Sequence, residues 1–294
     1  MLDEVLDEAT WQERARAHAA RLEPYVAPHL ARREARIKHP VHDFLFTYYS
    51  QRPAQLMRWH PGFGVALGGD ASAYVGAKGY GGAPVAVTPE YVASQRPLIS
   101  SLHRLLTATA ARQPTLGCFG LHEWAMVYQL DEDEVRHKDW SLRLGPTGTD
   151  EVVESHRITC SHFDAFRFFT PQARGLNLLQ PASDDRAAYE QPGCLHGGMD
   201  LYGKVAVRLT PMIPSELVAD AFELAWDIRI MDMRAAPYDL SGITLDPTGE
   251  EWTPIKIETP EGKREYADQQ REFAERGAPI RQRLIQECER LLRS

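Results

Sequence analysis

Cysteine is scarce in this chain: Cys118, Cys160, Cys194 and Cys288 are the full set of four, and no two form a CxxC pair. Such thin spacing signals neither a disulfide framework nor a cysteine-rich zinc module, and it fits a reducing compartment. Long apolar runs are missing as well, none approaching the roughly eighteen residues that would suggest a membrane span. The opening Met1-Leu2-Asp3-Glu4 has neither the basic start nor the apolar run of a signal peptide. The expectation is a cytoplasmic chain with no membrane partner.

Positive charge is also outweighed. Lys and Arg number 33 against 41 Asp and Glu, a formal net charge of -8, so the whole-molecule field opposes coating of a phosphate backbone and no bulk nucleic-acid binding is expected. Arg32, Arg33, Arg36 and Lys38 form one basic crowd, read here as a solvated helix face with phosphate contact as the rival reading. Nucleotide loops are absent too: no GxxxxGK[ST] occurs, and no GxGxxG lies between a clear strand and a helix. No repeat, low-complexity tract or Pro/Ser-rich linker divides the 294 residues.

What remains is an ordinary globular balance, 43% hydrophobic and 25% charged, enough to bury a sizeable core. Apolar periodicity predicts a single, mainly α domain with a small β-sheet (an α+β fold) over 1–294. It opens with an N-terminal helical arm over 1–40, broken near Pro24 and Pro28, and closes with an amphipathic helix over 259–294, interrupted around Gly277 and Pro279. The aromatic segment 42–60 reads as a buried helix pair divided at Pro53. The Gly-rich stretch 61–84 reads as strands and turns. Thr88-Pro89-Glu90 is a helix start, with its pattern running to about Arg112. Residues 121–130 read as a short helix, 140–170 as alternating strand, 199–234 as helix, and Pro254–Glu258 as a strand.

Three segments join His to a carboxylate or thiol beside Gly or Pro, the composition of a scaffold presenting polar groups to a pocket. In Ser161-His162-Phe163-Asp164, a strand would put His162 and Asp164 on one face with Cys160, Phe166 and Phe168. That pairing suits a metal ligand or a general base, and equally a buried hydrogen bond flanked by core aromatics. In Cys194-Leu195-His196-Gly197-Gly198-Met199-Asp200, His196 and Asp200 are one turn apart if the helix starts early. They are then candidate zinc or iron ligands, against a Gly-rich turn with a buried Cys. In His122-Glu123 the second His of HExxH is lacking, and adjacent helical side chains diverge by about 100°. One of the two, not both, is expected at a centre. Tyr48, Tyr49, Arg52, Trp59 and Arg167 are candidates for stacking or holding a planar ligand, core packing being the alternative.

The phrases GCFGLHEWAMVY (117–128), SHFDAFRFFTP (161–171), QPGCLHGGMDLY (191–202) and FLFTYYSQRPAQLMRWHPG (44–62) resemble an actinobacterial family commonly labelled 3-methyladenine DNA glycosylase. The resemblance covers most of the chain. It implies hydrolysis of an N-glycosidic bond to release an alkylated base in DNA repair, with a flipped nucleotide in an aromatic pocket and a carboxylate assisting water. Asp164, Glu123 and Asp200 are the carboxylates these phrases offer. Three functions therefore stand as expectations. The first is such a glycosidase, with Asp164 or Glu123 activating water and His162 as partner. The second is a zinc- or iron-dependent hydrolase or oxygenase for a small molecule, using His122, His162, His196 and Asp200 or Asp164 as ligands. The third is a non-enzymatic binding protein.

Overall fold

Asp7 starts the first long helix by accepting the Thr10 N–H at 2.8 Å, immediately after a short strand, β1 (Glu4–Leu6). The computed structural model describes residues 3–49, 51–130 and 140–294. In it α1 runs Glu8–Glu34 as one helix with Pro24 and Pro28 inside, where the sequence predicts a break. Each proline removes one backbone donor, and side-chain anchors along the helix oppose the break. Leu22 and Val26 are buried, His18 Nε2 lies 2.9 Å from the Leu56 carbonyl, and Arg21 pairs with Asp220 and Glu223.

The aromatic segment forms two short helices, α2 (Asp43–Thr47) and α3 (Pro53–Leu56). The Gly-rich stretch then supplies β2 (Val65–Leu67), β3 (Tyr80–Gly81) and β4 (Val85–Val87). With β1 these make a four-stranded sheet in the order β1-β2-β4-β3, parallel between β1 and β2 and antiparallel elsewhere. Trp11, Trp59, Leu67 and Tyr74 pack together in its own apolar cluster.

Thr88 caps α4 (Pro89–Ser94) as its sequence predicts, accepting the Tyr91 N–H. The pattern expected to continue to Arg112 is two helices, because Pro97 in the first turn of α5 (Arg96–Ala110) cannot donate into a continuing ladder. After them come α6 (Leu121–Ala125), α7 (Gly145–Glu154), α8 (Phe163–Phe166), α9 (Pro171–Arg174), α10 (Arg186–Tyr189) and α11 (Leu195–Asp200). A π-helical turn (Leu201–Ala206) follows, then α12 (Val207–Leu209), α13 (Ser215–Ala235), the β5 (Thr244–Leu245) and β6 (Glu250–Glu251) hairpin, and α14 (Pro260–Arg293).

Three expectations are corrected here. The alternation over 140–170 is not a strand: Leu142 and Ile158 make only isolated bridges, to Tyr238 and Asn177, and α7 and α8 are helical. Pro254–Glu258 is not a strand: 254–256 are irregular, with the Ile255 N–H donating to the Arg234 carbonyl at 2.7 Å, and Ile257 and Glu258 lie in a turn. α14 runs through Gly277 and Pro279, since Tyr266, Leu284, Ile285, Cys288 and Leu291 bury one continuous face.

The core is built around α13, whose apolar residues face inward on nearly every side, including Leu217, Phe222, Trp226, Ile228 and Met231. A helix apolar all round is a central one. Its few polar positions are matched from both flanks. Arg21 of α1 and Arg283 of α14 take Asp220, Arg21 also takes Glu223, and Arg276 takes Asp227. Helix accounts for 56% and strand for 7%, a single compact mainly α domain with two small sheets.

Candidate metal centre

His122 is placed by a turn that only a few residues tolerate. Phe119 and Gly120 both have positive φ, 49° and 69°. A Cβ at Gly120 would stand 3.2 Å from the Ala235 Cβ. The chain can therefore enter α6 hard against the end of α13, where the Trp124 indole N–H donates to the Ala235 carbonyl at 2.8 Å. That docking sets His122 Nε2 3.0 Å from Asp232 Oδ1. Burial disfavours a charged His122, but the Asp232 carboxylate outweighs it and holds the imidazole pKa well above its usual value. Burial likewise pushes Asp232 up, and the neighbouring His122 overrides it downward.

His196 arrives by a second close approach. A Cβ on Gly198 would meet the Ile228 Cδ1 at 2.6 Å, so glycine lets α11 press onto α13. The His196 ring then sits between the other two site histidines, 4.5 Å from the His122 centroid and 5.3 Å from that of His162. Among the described residues nothing hydrogen-bonds its ring, and burial, then the neighbouring His122, lowers its pKa to about 3. A neutral imidazole with an uncommitted nitrogen is the form that binds metals.

Among the described residues, three groups bring three possible ligand atoms within 4.8 Å of one another, and they differ in what else their atoms do. In His39, His42 and Asp246, both nitrogens of His39 are spent on backbone, Nδ1 accepting from Val41 and His42 and Nε2 meeting the Thr244 carbonyl. His42 Nε2 accepts the Asp246 N–H and Arg32 takes the Asp246 carboxylate; this group is a structural knot. In His162, Glu190 and Asp200, the centre is held by a guanidinium: Arg186 pairs with both carboxylates, at 2.5 Å to Glu190 and 2.8 Å to Asp200. Tyr49 donates to the other Asp200 oxygen at 3.4 Å and His162 Nε2 meets Asp200 Oδ2 at 3.0 Å. Burial opposes charge on His162, and Asp200 raises its pKa regardless.

The third group, His122, His196 and Asp232, has the donor chemistry of a metal site. Two imidazoles and one carboxylate are a recurrent set for zinc or non-haem iron. His122 and Asp232 share a 3.0 Å hydrogen bond, so an ion bound between them would take the place of the proton they share. Arg229 donates to Asp232 Oδ2 at 3.2 Å and is itself tied to the Val41 carbonyl, which orients the carboxylate. Glu123 Oε1 lies 3.9 Å from His122 Nε2. Both members of the His122-Glu123 pair thus reach one place, where helical geometry predicts only one.

A cavity of about 300 Å³ reaches this group at His196, lined also by Phe44, Tyr48, Glu123, Asp164, Phe168 and Arg229 among others, while His122 and Asp232 lie buried behind its wall. Asp164 belongs to its wall, not to His162: it pairs with Arg167 at 3.1 Å and Lys204 at 3.4 Å. The expected His162–Asp164 face is absent because the chain turns into α8 directly after His162. His162 and Asp200, expected in separate segments, meet instead. Arg167 donates to the Tyr48 hydroxyl at 3.2 Å. Tyr49 is buried behind the wall on Gly203 and Asp200, not stacked on a ligand surface. Trp59 is core, its indole N–H on Glu216, and Arg52 caps α3 beside a different cavity. Both are removed from the site. In the basic crowd, Arg32 is committed to Asp246, while Arg33, Arg36 and Lys38 line that second cavity.

Asp232, Arg229, Glu190 and Arg186 escape the sequence reading. The legible trace of the first two was an Arg and an Asp three apart inside an otherwise apolar helix, a pair that has to be buried together. No protein family, curated protein or solved structure matches this chain.

Proposed function

We propose that the chain is a metal-dependent enzyme acting on a small molecule, with zinc or iron held by His122, His196 and Asp232. The observation that carries this is the convergence of those three donors within 4.8 Å of one another, with His196 on the wall of a cavity and His122 and Asp232 buried behind it. A bound zinc or iron would supply Lewis acidity and an activated water or oxygen. The protein's own groups supply the rest. Glu123 stands beside His122 where it can hold or accept a proton from water. Arg229 and Asp232 form a fixed pair that keeps the carboxylate aimed at His122. The aromatic walls, Phe44 and Tyr48 stacked at 4.7 Å and Phe168 nearby, suit a compact substrate with a planar or apolar part.

Elemental mass spectrometry on protein purified without a His-tag or chelator tests it. Near-stoichiometric zinc or iron is expected in the wild type and in His103→Ala, a surface control, and is expected to be lost in His122→Ala and His196→Ala. Equal metal content in all four proteins would overturn the assignment.

A second reading keeps the base-releasing glycosidase. What supports it is the same cavity, whose aromatic walls and two carboxylates, Glu123 and Asp164, suit a planar base attacked by water. Its signature is release of free base from alkylated DNA that persists in chelator and disappears in the Glu123→Gln, Asp164→Asn double variant. Activity abolished by chelator and restored by zinc or iron favours the metal enzyme.

A further inference from the structure

On the far side of the segment that carries Glu190 and Cys194 lies a separate cavity of about 570 Å³. Its walls come from the end of α5, the following loop, Pro192 and the middle of α14. Arg281 lines it and is 2% exposed. Among the described residues this guanidinium has no ion-pair or hydrogen-bond partner, and its Nε is enclosed with no acceptor at all. Every other deeply buried arginine described above has its acid or carbonyl: Arg229 has Asp232 and Val41. A guanidinium offers five donors and no acceptor, and a buried charge persists at low cost only when paired.

Burial accordingly pushes the Arg281 pKa down, with Cys194 and Glu190 as the nearby groups opposing that shift. Glu190 of this strap is engaged by Arg186 and makes no hydrogen bond or ion pair with Arg281 among the described residues. Two further arginines line the same cavity. Arg112 is fixed by the Ala108 and Glu190 carbonyls, and Arg271 pairs with Asp268 at the exposed surface. Among the described residues the one acid in the wall is Glu275; Leu116, Pro114, Pro192, Ala274 and Ala278 supply apolar surface.

We infer that this cavity is a binding site for a small organic anion, a carboxylate or phosphate head on a short apolar body, with Arg281 as the charge that takes the head group. The floor is prepared for it. Gln191 Oε1 accepts the Thr115 and Gly193 N–H groups at 2.8 Å each, and Gln270 donates to the Gly193 carbonyl at 2.6 Å, so the strap beneath the cavity is rigid. The site is independent of the metal centre and stands whether or not zinc or iron binds there.

The test is calorimetric titration and thermal unfolding of the full chain in an anion-poor buffer, with inorganic phosphate, butyrate and butyl phosphate as probes. Saturable binding of butyrate or butyl phosphate is expected, tighter than that of inorganic phosphate, and whichever binds tighter identifies the head group. In Arg281→Gln the affinity should fall roughly tenfold or more, the loss expected for a hydrogen bond to a charged group. No saturable binding of any probe, or equal affinity in Arg281→Gln, would overturn the inference. If Arg281→Gln does not fold, the rim variant Arg271→Glu takes its place. Weaker binding upholds the site and unchanged affinity overturns it.

Discussion

Two histidines of one chain show how neighbours decide what an imidazole does. His42 is stacked on Trp226 at 4.1 Å and on His39, and its Nε2 must be bare to accept the Asp246 N–H. Burial, reinforced by nearby His39 and Arg32, drives its pKa down to about 2, and burial takes His60 to about 4. A histidine kept neutral in the folded chain contributes stability that is intact above its unfolded pKa of about 6.5 and is lost as pH falls toward the folded value. Each such residue should cost about 1.4 kcal/mol per pH unit below pH 6. The unfolding midpoint of chelator-treated protein should therefore drop from pH 7 to pH 4.5, and His42→Asn should flatten that slope while lowering the plateau. An identical slope in the variant would show that His42 protonates freely. His196 is also neutral, yet its nitrogen is uncommitted, and that difference separates a structural histidine from a candidate ligand.

At the scale of elements, the site depends on two places where glycine lets α13 be approached closely, Gly120 against Ala235 and Gly198 against Ile228. Gly198→Ala puts a methyl into Ile228 and should cost about 1–3 kcal/mol through overpacking, seen as a lower unfolding midpoint and weaker metal retention. Gly175→Ala, where a Cβ meets nothing within 4 Å, is the matched control and should change neither. Sequence pattern placed helix in the stretches that became α4–α5 and α11–α13, though each, read as one run, is divided in the structure, at Gln95 and at residues 210–214. It failed where a proline lies inside a packed helix, as in α1 and α14, because the tertiary contacts that offset the missing hydrogen bond are invisible in local pattern. It also failed at His162, where alternation of apolar residues suggested a strand and the chain turns into α8 instead. The histidines themselves were legible. Their partners were not, since Asp232 comes from a helix far along the chain and nothing local marks which acid it would meet.

Across the whole molecule, the paired charges around α13 suggest where stability is concentrated. Asp232→Asn leaves His122 and Arg229 buried beside a neutral amide, and breaking such a pair typically costs about 3–5 kcal/mol. Asp227→Asn breaks an ion pair that is about two-fifths exposed on each side and should cost under about 1 kcal/mol. Denaturant unfolding of the two variants checks the ranking, and equal losses would refute it.

His122, His196 and Asp232 come from three stretches of chain that are far apart in sequence and meet only after α6, α11 and α13 have docked. An ion shared by them would work as a removable cross-link, closing long loops much as a disulfide does, and a disulfide spanning loops of tens of residues is worth about 3–5 kcal/mol. The chain has four thiols and no disulfide, so this would be a staple set by metal supply in place of redox state. Its resistance to unfolding would then rise and fall with the free ion concentration around it.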